Sequence, residues 1–91
     1  MTPKTPVATD GLSLYQTTTC WFCGKVRQKI KDLGINIELR DIAASASYRE
    51  ELVQGGGMGQ VPCLRIVKLD GRVDWLYEST DICEYLQEKF A

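Results

Sequence analysis

The sequence contains no histidine among its 91 residues. This absence excludes a Cys–His nucleophilic dyad, a Ser–His–Asp triad and any zinc site that needs an imidazole ligand. No apolar run approaches the length that crosses a membrane. The formal net charge is only −1, so bulk electrostatics predict neither a nucleic-acid partner nor binding to a membrane surface.

The composition indicates one small globular domain. Hydrophobic residues make up 44% of the chain and charged residues 25%, which is ordinary for a folded domain with a single core. The first ten residues hold two prolines and three threonines but no apolar segment like that of a secretory signal. We therefore expect a flexible tail over 1–10, a domain over 11–91, and a monomeric protein of the cytoplasm.

The four cysteines are the main candidates for chemistry: Cys20, Cys23, Cys63 and Cys83. In a reducing compartment a disulfide framework is not expected. Cys20 and Cys23 stand between a strand pattern and a helix pattern, and the start of a helix favours a thiolate. The thiolate is the form that attacks disulfides. The spacing therefore predicts Cys20 as the nucleophile and the more shielded Cys23 as the resolving thiol.

Hydrophobic periodicity predicts the order strand, helix, strand, helix, strand, strand, helix. The predicted strands span 12–16, 35–40, 63–69 and 72–77, and the predicted helices span 21–33, 43–53 and 78–89. One of Thr17–Thr19 is expected to cap the first helix, and Ser45 or Ser47 the second, Ser47 having capping-box spacing to Glu50. Asp70-Gly71 predicts a hairpin. The glycine cluster 55–59 indicates a flexible connection, because no phosphate-loop lysine follows it.

Several segments at matching relative places make residues 11–90 similar to glutaredoxins and to the N-terminal domain of glutathione S-transferases. These segments are Leu14-Tyr15, Cys20-x-x-Cys23, Gln60-Val61-Pro62-x-Leu64, Asp70-Gly71 and Glu78-Ser79-x-x-Ile82. The resemblance implies an α/β, thioredoxin-like fold of order β-α-β-α-β-β-α with a four-stranded mixed sheet. It also implies a cis bond at Val61-Pro62, whose backbone pairs with a bound tripeptide.

By the same resemblance, Ser79, Thr80 and Asp81 hold the γ-glutamyl end of glutathione at a helix start. Thr17 stands where glutaredoxins usually have a lysine for the glycyl carboxylate, and Lys25 or Arg27 is a candidate replacement for that charge. The remaining residues expected to contact glutathione or substrate are Tyr15, Trp21, Phe22, Gln60, Val61, Pro62 and Glu78.

Together these features predict a glutathione-linked thiol–disulfide oxidoreductase that reduces protein disulfides or protein–glutathione mixed disulfides. Glutathione is the expected co-substrate, and no metal is expected. Two alternatives stay open. One is a glutaredoxin that binds a [2Fe–2S] cluster through Cys20. The other is a non-catalytic, glutathione S-transferase-like binding module, with transferase activity expected only if a partner supplies the helical half.

The other two cysteines have simpler interpretations. Cys63 is expected to fill a strand position, with a regulatory thiol as the alternative, and Cys83 is expected in the core. Zinc binding by all four cysteines would require Cys83 to leave the core, and it ranks last.

Overall fold

The computed structural model describes Thr9 and residues 11–91, so the expected tail over 1–10 lies, apart from Thr9, outside the described residues. In chain order the elements are β1 (Leu12–Gln16), α1 (Trp21–Asp32), β2 (Glu38–Asp41), α2 (Ala46–Gly56), β3 (Cys63–Val67), β4 (Val73–Leu76) and α3 (Ser79–Phe90). The predicted order of elements is confirmed.

The four strands form one mixed sheet in the order β2-β1-β3-β4. Strand β1 runs parallel to β2, as a strand–helix–strand crossover requires, and antiparallel to β3. Strand β4 pairs antiparallel with β3. Leu14 lies at the centre, opposite Leu39 on one side and Leu64 on the other. The predicted α/β class with a four-stranded mixed sheet is therefore confirmed.

Helices α1 and α3 cover one face of the sheet and bury the larger core. Leu12 and Leu14 point to this face because side chains alternate along a strand. Val26 and Ile82 meet them from the two helices, each fully buried. Since both helices begin just after strands that end at the same edge, their N-termini lie at that edge together.

Helix α2 covers the opposite face with a smaller cluster. Leu52 is the buried residue of this helix, and it packs with Tyr15, Ile42 and Cys63. The predicted start of this helix at residue 43 is wrong. Asp41 accepts the backbone amides of Ala43 and Ala44 and holds them in a turn. Ser45 then caps the helix by accepting the amide of Tyr48 at 3.3 Å, so Ser47 is not the cap.

The end of α2 also differs from the prediction, because the helix continues through Gly55 and Gly56. A Cβ atom added at Gly55 would clash with the indole of Trp75, and one at Gly56 with the hydroxyl of Tyr77. The absence of side chains therefore lets the last turn of α2 lie directly against β4. The helix stops at Gly57, whose φ of 93° lies in the left-handed region that favours glycine.

Strand β1 has its predicted bounds, and the other three strands are shorter than predicted. Strand β2 begins at Glu38. Ile35 and Ile37, which precede it, are buried in the larger core but lie outside the strand. At the hairpin, Asp70 accepts the amide of Arg72, and Gly71 adopts a φ of 90°. This turn takes residues 68–72 out of the two flanking strands.

Candidate functional site

The sulfur of Cys20 sits at the N-terminus of α1. Cys20 itself is the N-cap, with extended backbone, and its Sγ accepts a hydrogen bond from the backbone amide of Cys23 at 3.2 Å. The expectation that a threonine of the preceding turn caps α1 is therefore wrong. An amide hydrogen bond and the positive end of the helix dipole both favour negative charge on this sulfur.

Cys23 differs sharply from Cys20 in its surroundings. Its side chain is fully buried, whereas that of Cys20 is half-buried, and both are free thiols. Burial raises the pKa of the Cys23 thiol, and the hydrogen bond with Cys20 raises it further. Cys23 therefore stays a protonated thiol at neutral pH. Because Cys23 is also buried, Cys20 is the sulfur of the pair that solvent and substrates reach.

Arg27 holds the loop that leads into Cys20. Its Nη1 donates to the carbonyl oxygen of Thr17 at 3.0 Å, and its Nη2 lies 3.4 Å from that of Thr18. Nη1 also donates to the side-chain oxygen of Gln16, a buried residue at the end of β1. Of the two candidate cations, Arg27 is thus the one that places its charge beside Thr17.

Lys25 has a different position, against Trp21 of the aromatic pair that lies between the two cysteines in sequence. Its Nζ lies 4.4 Å from the ring centroid of Trp21. The rings of Trp21 and Phe22 meet edge to face with centroids 5.2 Å apart. Both rings are exposed, Trp21 at 68% and Phe22 at 53%. The two residues that follow Cys20 in sequence therefore present an exposed aromatic surface with the Lys25 cation beside it.

The segment before β3 contains the cis bond that the resemblance implies, between Val61 and Pro62. Val61 is half-buried and Pro62 buried, while Gln60 is exposed. Tyr77 anchors this segment: its hydroxyl donates to the carbonyl of Met58 at 2.9 Å and accepts the amide of Met58 at 3.2 Å. The connection from α2 to Pro62 is thus tied to the end of β4, an anchor that the sequence did not predict.

Helix α3 begins at Ser79, with Glu78 as an N-cap that makes no side-chain hydrogen bond. The amide of Ile82 donates to the carbonyl of Glu78 at 2.8 Å. Ser79 is half-buried, and Thr80 and Asp81 are exposed. A groove of about 430 Å³ between α1 and α3 is lined by eight residues: Lys25, Lys29, Ser79, Thr80, Cys83, Glu84, Gln87 and Glu88.

Tyr15 is not part of this surface, although the sequence placed it among the binding residues. It is fully buried under α2, and its hydroxyl donates to Glu51 at 2.8 Å and accepts from Arg40 at 2.9 Å. Alternation along β1 explains the difference, because Tyr15 points to the face opposite Leu14. Tyr15 is therefore a core residue with a satisfied hydroxyl.

Cys83 also departs from its expected place. It is half-buried against the larger core and lines the groove instead of lying wholly inside the domain. Cys63, by contrast, is fully buried, and burial raises the pKa of its thiol to about 12.

Across the part of the chain that the structure describes, no group of three or more Cys, Asp or Glu side chains could hold a metal ion.

The sequence missed the role of Arg27 on the loop. A signal was present: Gln16 is a polar residue at the end of an otherwise buried strand, and a buried amide needs a partner. Arg27, two helical turns beyond Cys20, supplies that partner.

No helix of residues 11–91 is long and apolar enough to cross a bilayer.

Comparison with known proteins gives a family match over most of the chain. The family described as "Glutathione S-transferase, N-terminal domain" matches residues 14–91. No curated protein matches the chain.

Among solved structures, a maleylacetoacetate isomerase from Anaeromyxobacter dehalogenans with glutathione in its active site is 28% identical, with a TM-score of 0.66. The alignment covers 87% of this chain and 37% of the isomerase. A glutathione S-transferase from the Antarctic clam Laternula elliptica is also 28% identical, with a TM-score of 0.65, over 89% of this chain and 36% of that enzyme.

A thioredoxin-like protein shares the fold over nearly its whole length. It is 22% identical, with a TM-score of 0.67, and the alignment covers 88% of this chain and 99% of that one. The chain therefore spans little more than a third of the two glutathione enzymes and essentially all of the small thioredoxin-like protein. The predicted thioredoxin-like fold is confirmed.

Proposed function

Because the chain belongs to the glutathione S-transferase N-terminal domain family, we propose that it is a glutathione-linked thiol–disulfide oxidoreductase in which Cys20 is the nucleophile. The observation that carries the proposal is the hydrogen bond from the Cys23 amide to Cys20 Sγ. It stabilises charge on a half-exposed sulfur at a helix start, and a second thiol lies buried one turn later. Such an arrangement suits an attacking thiol and a shielded resolving thiol.

The proposed reaction transfers glutathione from a protein mixed disulfide to Cys20 and then to a second glutathione. The Cys20 thiolate attacks the glutathione sulfur, the old S–S bond breaks, and the protein thiolate leaves with the electron pair and takes a proton from water. A glutathione thiolate then attacks the same sulfur, which forms oxidised glutathione and returns the Cys20 thiolate. The protein sulfur is reduced to a thiol and the incoming glutathione is oxidised, and the two glutathiones leave joined as one molecule of oxidised glutathione.

For a protein disulfide, Cys23 takes the second step instead. Cys20 first attacks one sulfur of the protein disulfide, which breaks the protein S–S bond and releases the other sulfur as a thiolate that takes a proton from water. Cys23 then loses its proton to solvent and attacks Cys20 Sγ. This releases the second protein thiolate and leaves a Cys20–Cys23 disulfide, which two glutathiones reduce. Cys23 is buried with a raised pKa, so it reacts with the neighbouring sulfur and not with solvent reagents.

We propose the glutathione contacts from the elements that meet at this edge of the sheet. The backbone of Val61 would pair with the tripeptide, and Arg27 would attract its glycyl carboxylate in place of the absent lysine. The start of α3 would hold the γ-glutamyl carboxylate. The residues in these roles, with their neighbours, are Thr17, Arg27, Gln60, Val61, Pro62, Glu78, Ser79, Thr80 and Asp81.

A second candidate function is a glutathione-binding module without redox turnover. The family match and the glutathione held by the related isomerase favour it. In that case the protein would bind glutathione through Val61 and the start of α3, and Cys20 would be dispensable.

One pair of measurements separates these functions. Turnover is followed with a glutathionylated test protein, glutathione, glutathione reductase and NADPH, and binding of glutathione is measured by calorimetry. We expect Cys20→Ser to abolish turnover and Cys23→Ser to keep a part of it, because the amide that donates to Cys20 remains. Full turnover in Cys20→Ser would reject the proposal, and binding without turnover in the native chain would favour the second function.

We place this activity in the cytoplasm. All four cysteines are free thiols, and the proposed reductant, glutathione, is kept reduced in that compartment.

A further inference from the structure

Trp21 and Phe22 form an exposed aromatic pair that the reaction with glutathione does not use. Both are large apolar residues that lie between the two cysteines in sequence, and more than half of each is open to solvent. They are held edge to face at 5.2 Å, so they present one fixed surface instead of two independent side chains. Exposed apolar surface of this kind, at a reactive atom, marks an interaction site.

Lys25 extends this surface toward the groove between α1 and α3. Its Nζ lies 4.4 Å from the Trp21 centroid, which fixes the cation at the edge of the aromatic pair. Lys25 and Lys29 also line the α1 wall of the groove. Glu84 and Glu88 line the same groove, so the cation that a ligand on the aromatic pair meets is Lys25.

We propose that Trp21, Phe22 and Lys25 form a docking surface for the polypeptide that carries the disulfide. The preferred segment would place an apolar side chain next to its disulfide cysteine on the aromatic pair, and an acidic side chain beside Lys25. This rests on the proposed function, since the docked polypeptide is the leaving group when Cys20 attacks the glutathione sulfur.

The chemistry of the surface favours a polypeptide over the other candidates. Glutathione is a small polar molecule with two carboxylates and no large apolar side chain, so it gains little from two exposed aromatic rings. A second copy of this chain meeting through the same surface would place two Lys25 cations and no matching acidic side chain in one interface, because a two-fold interface contains each residue of the surface twice. A polypeptide with one apolar and one acidic residue matches both parts of the surface.

The test uses three glutathionylated peptides that differ only beside the cysteine. The first has leucine before it and aspartate after it, the second has serine and aspartate, and the third has leucine and lysine. We expect the wild-type chain to prefer the first over the second by about tenfold in kcat/KM, the effect of an added apolar contact. The preference over the third should be about threefold, since the charge pair is exposed.

The variants are judged on these ratios, which a general loss of activity does not change. Trp21→Ala with Phe22→Ala should abolish the leucine preference, and Lys25→Glu should reverse the preference between aspartate and lysine. Leu69→Ala removes a fully exposed apolar side chain from the β3–β4 connection and should leave both ratios unchanged. Wild-type ratios near one, or ratios that the variants do not alter, would overturn the proposal.

Two further measurements distinguish a failure of the docking proposal from a failure of the proposed oxidoreductase function. Binding of the first peptide with serine in place of cysteine, measured by calorimetry, tests docking without turnover. If this peptide binds and its binding is lost in the double aromatic variant while no disulfide is reduced, the docking surface stands and the proposed function fails. A wild-type dimer that becomes monomeric in the aromatic variant would identify the surface as a self-interface and overturn the proposal.

Discussion

Nη1 of Arg27 lies 3.0 Å from the carbonyl oxygen of Thr17, across the loop that carries Cys20. The same guanidinium reaches the side chain of Gln16 and the carbonyl of Thr18. One side chain of α1 therefore contacts the last residue of β1 and the first two residues of the loop, and it places a positive charge on the loop that leads to Cys20.

We predict that Arg27 positions this loop and attracts glutathione. Arg27→Gln should lower kcat/KM for glutathione by about tenfold. This is the loss expected when one charge-assisted hydrogen bond to glutathione is removed. Arg27→Lys should recover part of this loss, and the recovered part should fall as salt is added, because exposed charges are screened. Lys31→Gln, an exposed cation of the same helix, is the matched control. Equal losses in the glutamine and lysine variants would show that only the loop geometry matters.

The buried thiol of Cys63 should make stability depend on alkaline pH. Burial raises its pKa from an ordinary value of 9.0 to about 12. Below about pH 9 the Cys63 thiol is protonated in both the folded and the unfolded chain, so the stabilising effect of its burial is fully present. Between about pH 9 and 12 the unfolded chain loses the proton first, so the free energy of unfolding falls by up to about 1.4 kcal/mol per pH unit.

Cys63→Ser removes this ionisation and tests it directly. Unfolding by urea under reducing conditions, at pH 7, 9 and 11, should show a loss from pH 9 to 11 that is about 2 kcal/mol smaller in the variant. The difference between the two proteins should be constant from pH 6 to 8. Parallel stability curves over the whole range would mean that the thiol ionises as freely in the folded chain as in the unfolded one.

The two serines at the start of α2 should differ in their effect on stability. Ser45 accepts the amide of Tyr48, so Ser45→Ala should lower the free energy of unfolding by about 1 kcal/mol. Ser47 is exposed within the first turn, and Ser47→Ala should change stability by less than about 0.5 kcal/mol. Thermal or urea unfolding of the pair measures both. A larger loss at Ser47 would place the helix start two residues later.

The last turn of α2 should not tolerate a side chain at Gly56. A Cβ atom there would overlap the hydroxyl of Tyr77, and Gly56→Ala should destabilise the domain by about 2 kcal/mol. The loss should be smaller in a Tyr77→Phe background, which removes the nearest atom.

Gly24→Ala, at the fourth position of α1, is the control for this substitution, because a Cβ atom there would lie an ordinary 3.6 Å from Nη2 of Arg27. It should stabilise the chain by about 0.5 kcal/mol through helix propensity alone. Equal effects at the two glycines would show that contact with Tyr77 has no part in the result.

The structure separates the features of the site by the range of the interactions that fix them. The position of Cys20 at a helix start follows from its neighbours in sequence, a buried strand before it and a helix with apolar residues at Val26 and Ile30 after it. Tyr15 has the same kind of local pattern, yet its place depends on which face of β1 meets α2. Nothing within a few residues of Tyr15 encodes that choice.

The sequence by itself determined the order of the elements, because strand and helix periodicities are local, and its resemblance to glutaredoxins and glutathione S-transferases implied the four-stranded mixed sheet. Only the tertiary structure decided that α2 runs through Gly55 and Gly56, that Arg27 and not Lys25 reaches Thr17, and that Cys83 borders a groove. Each of these depends on the distance between side chains on different elements, and that distance is set by how the helices and strands pack on one another.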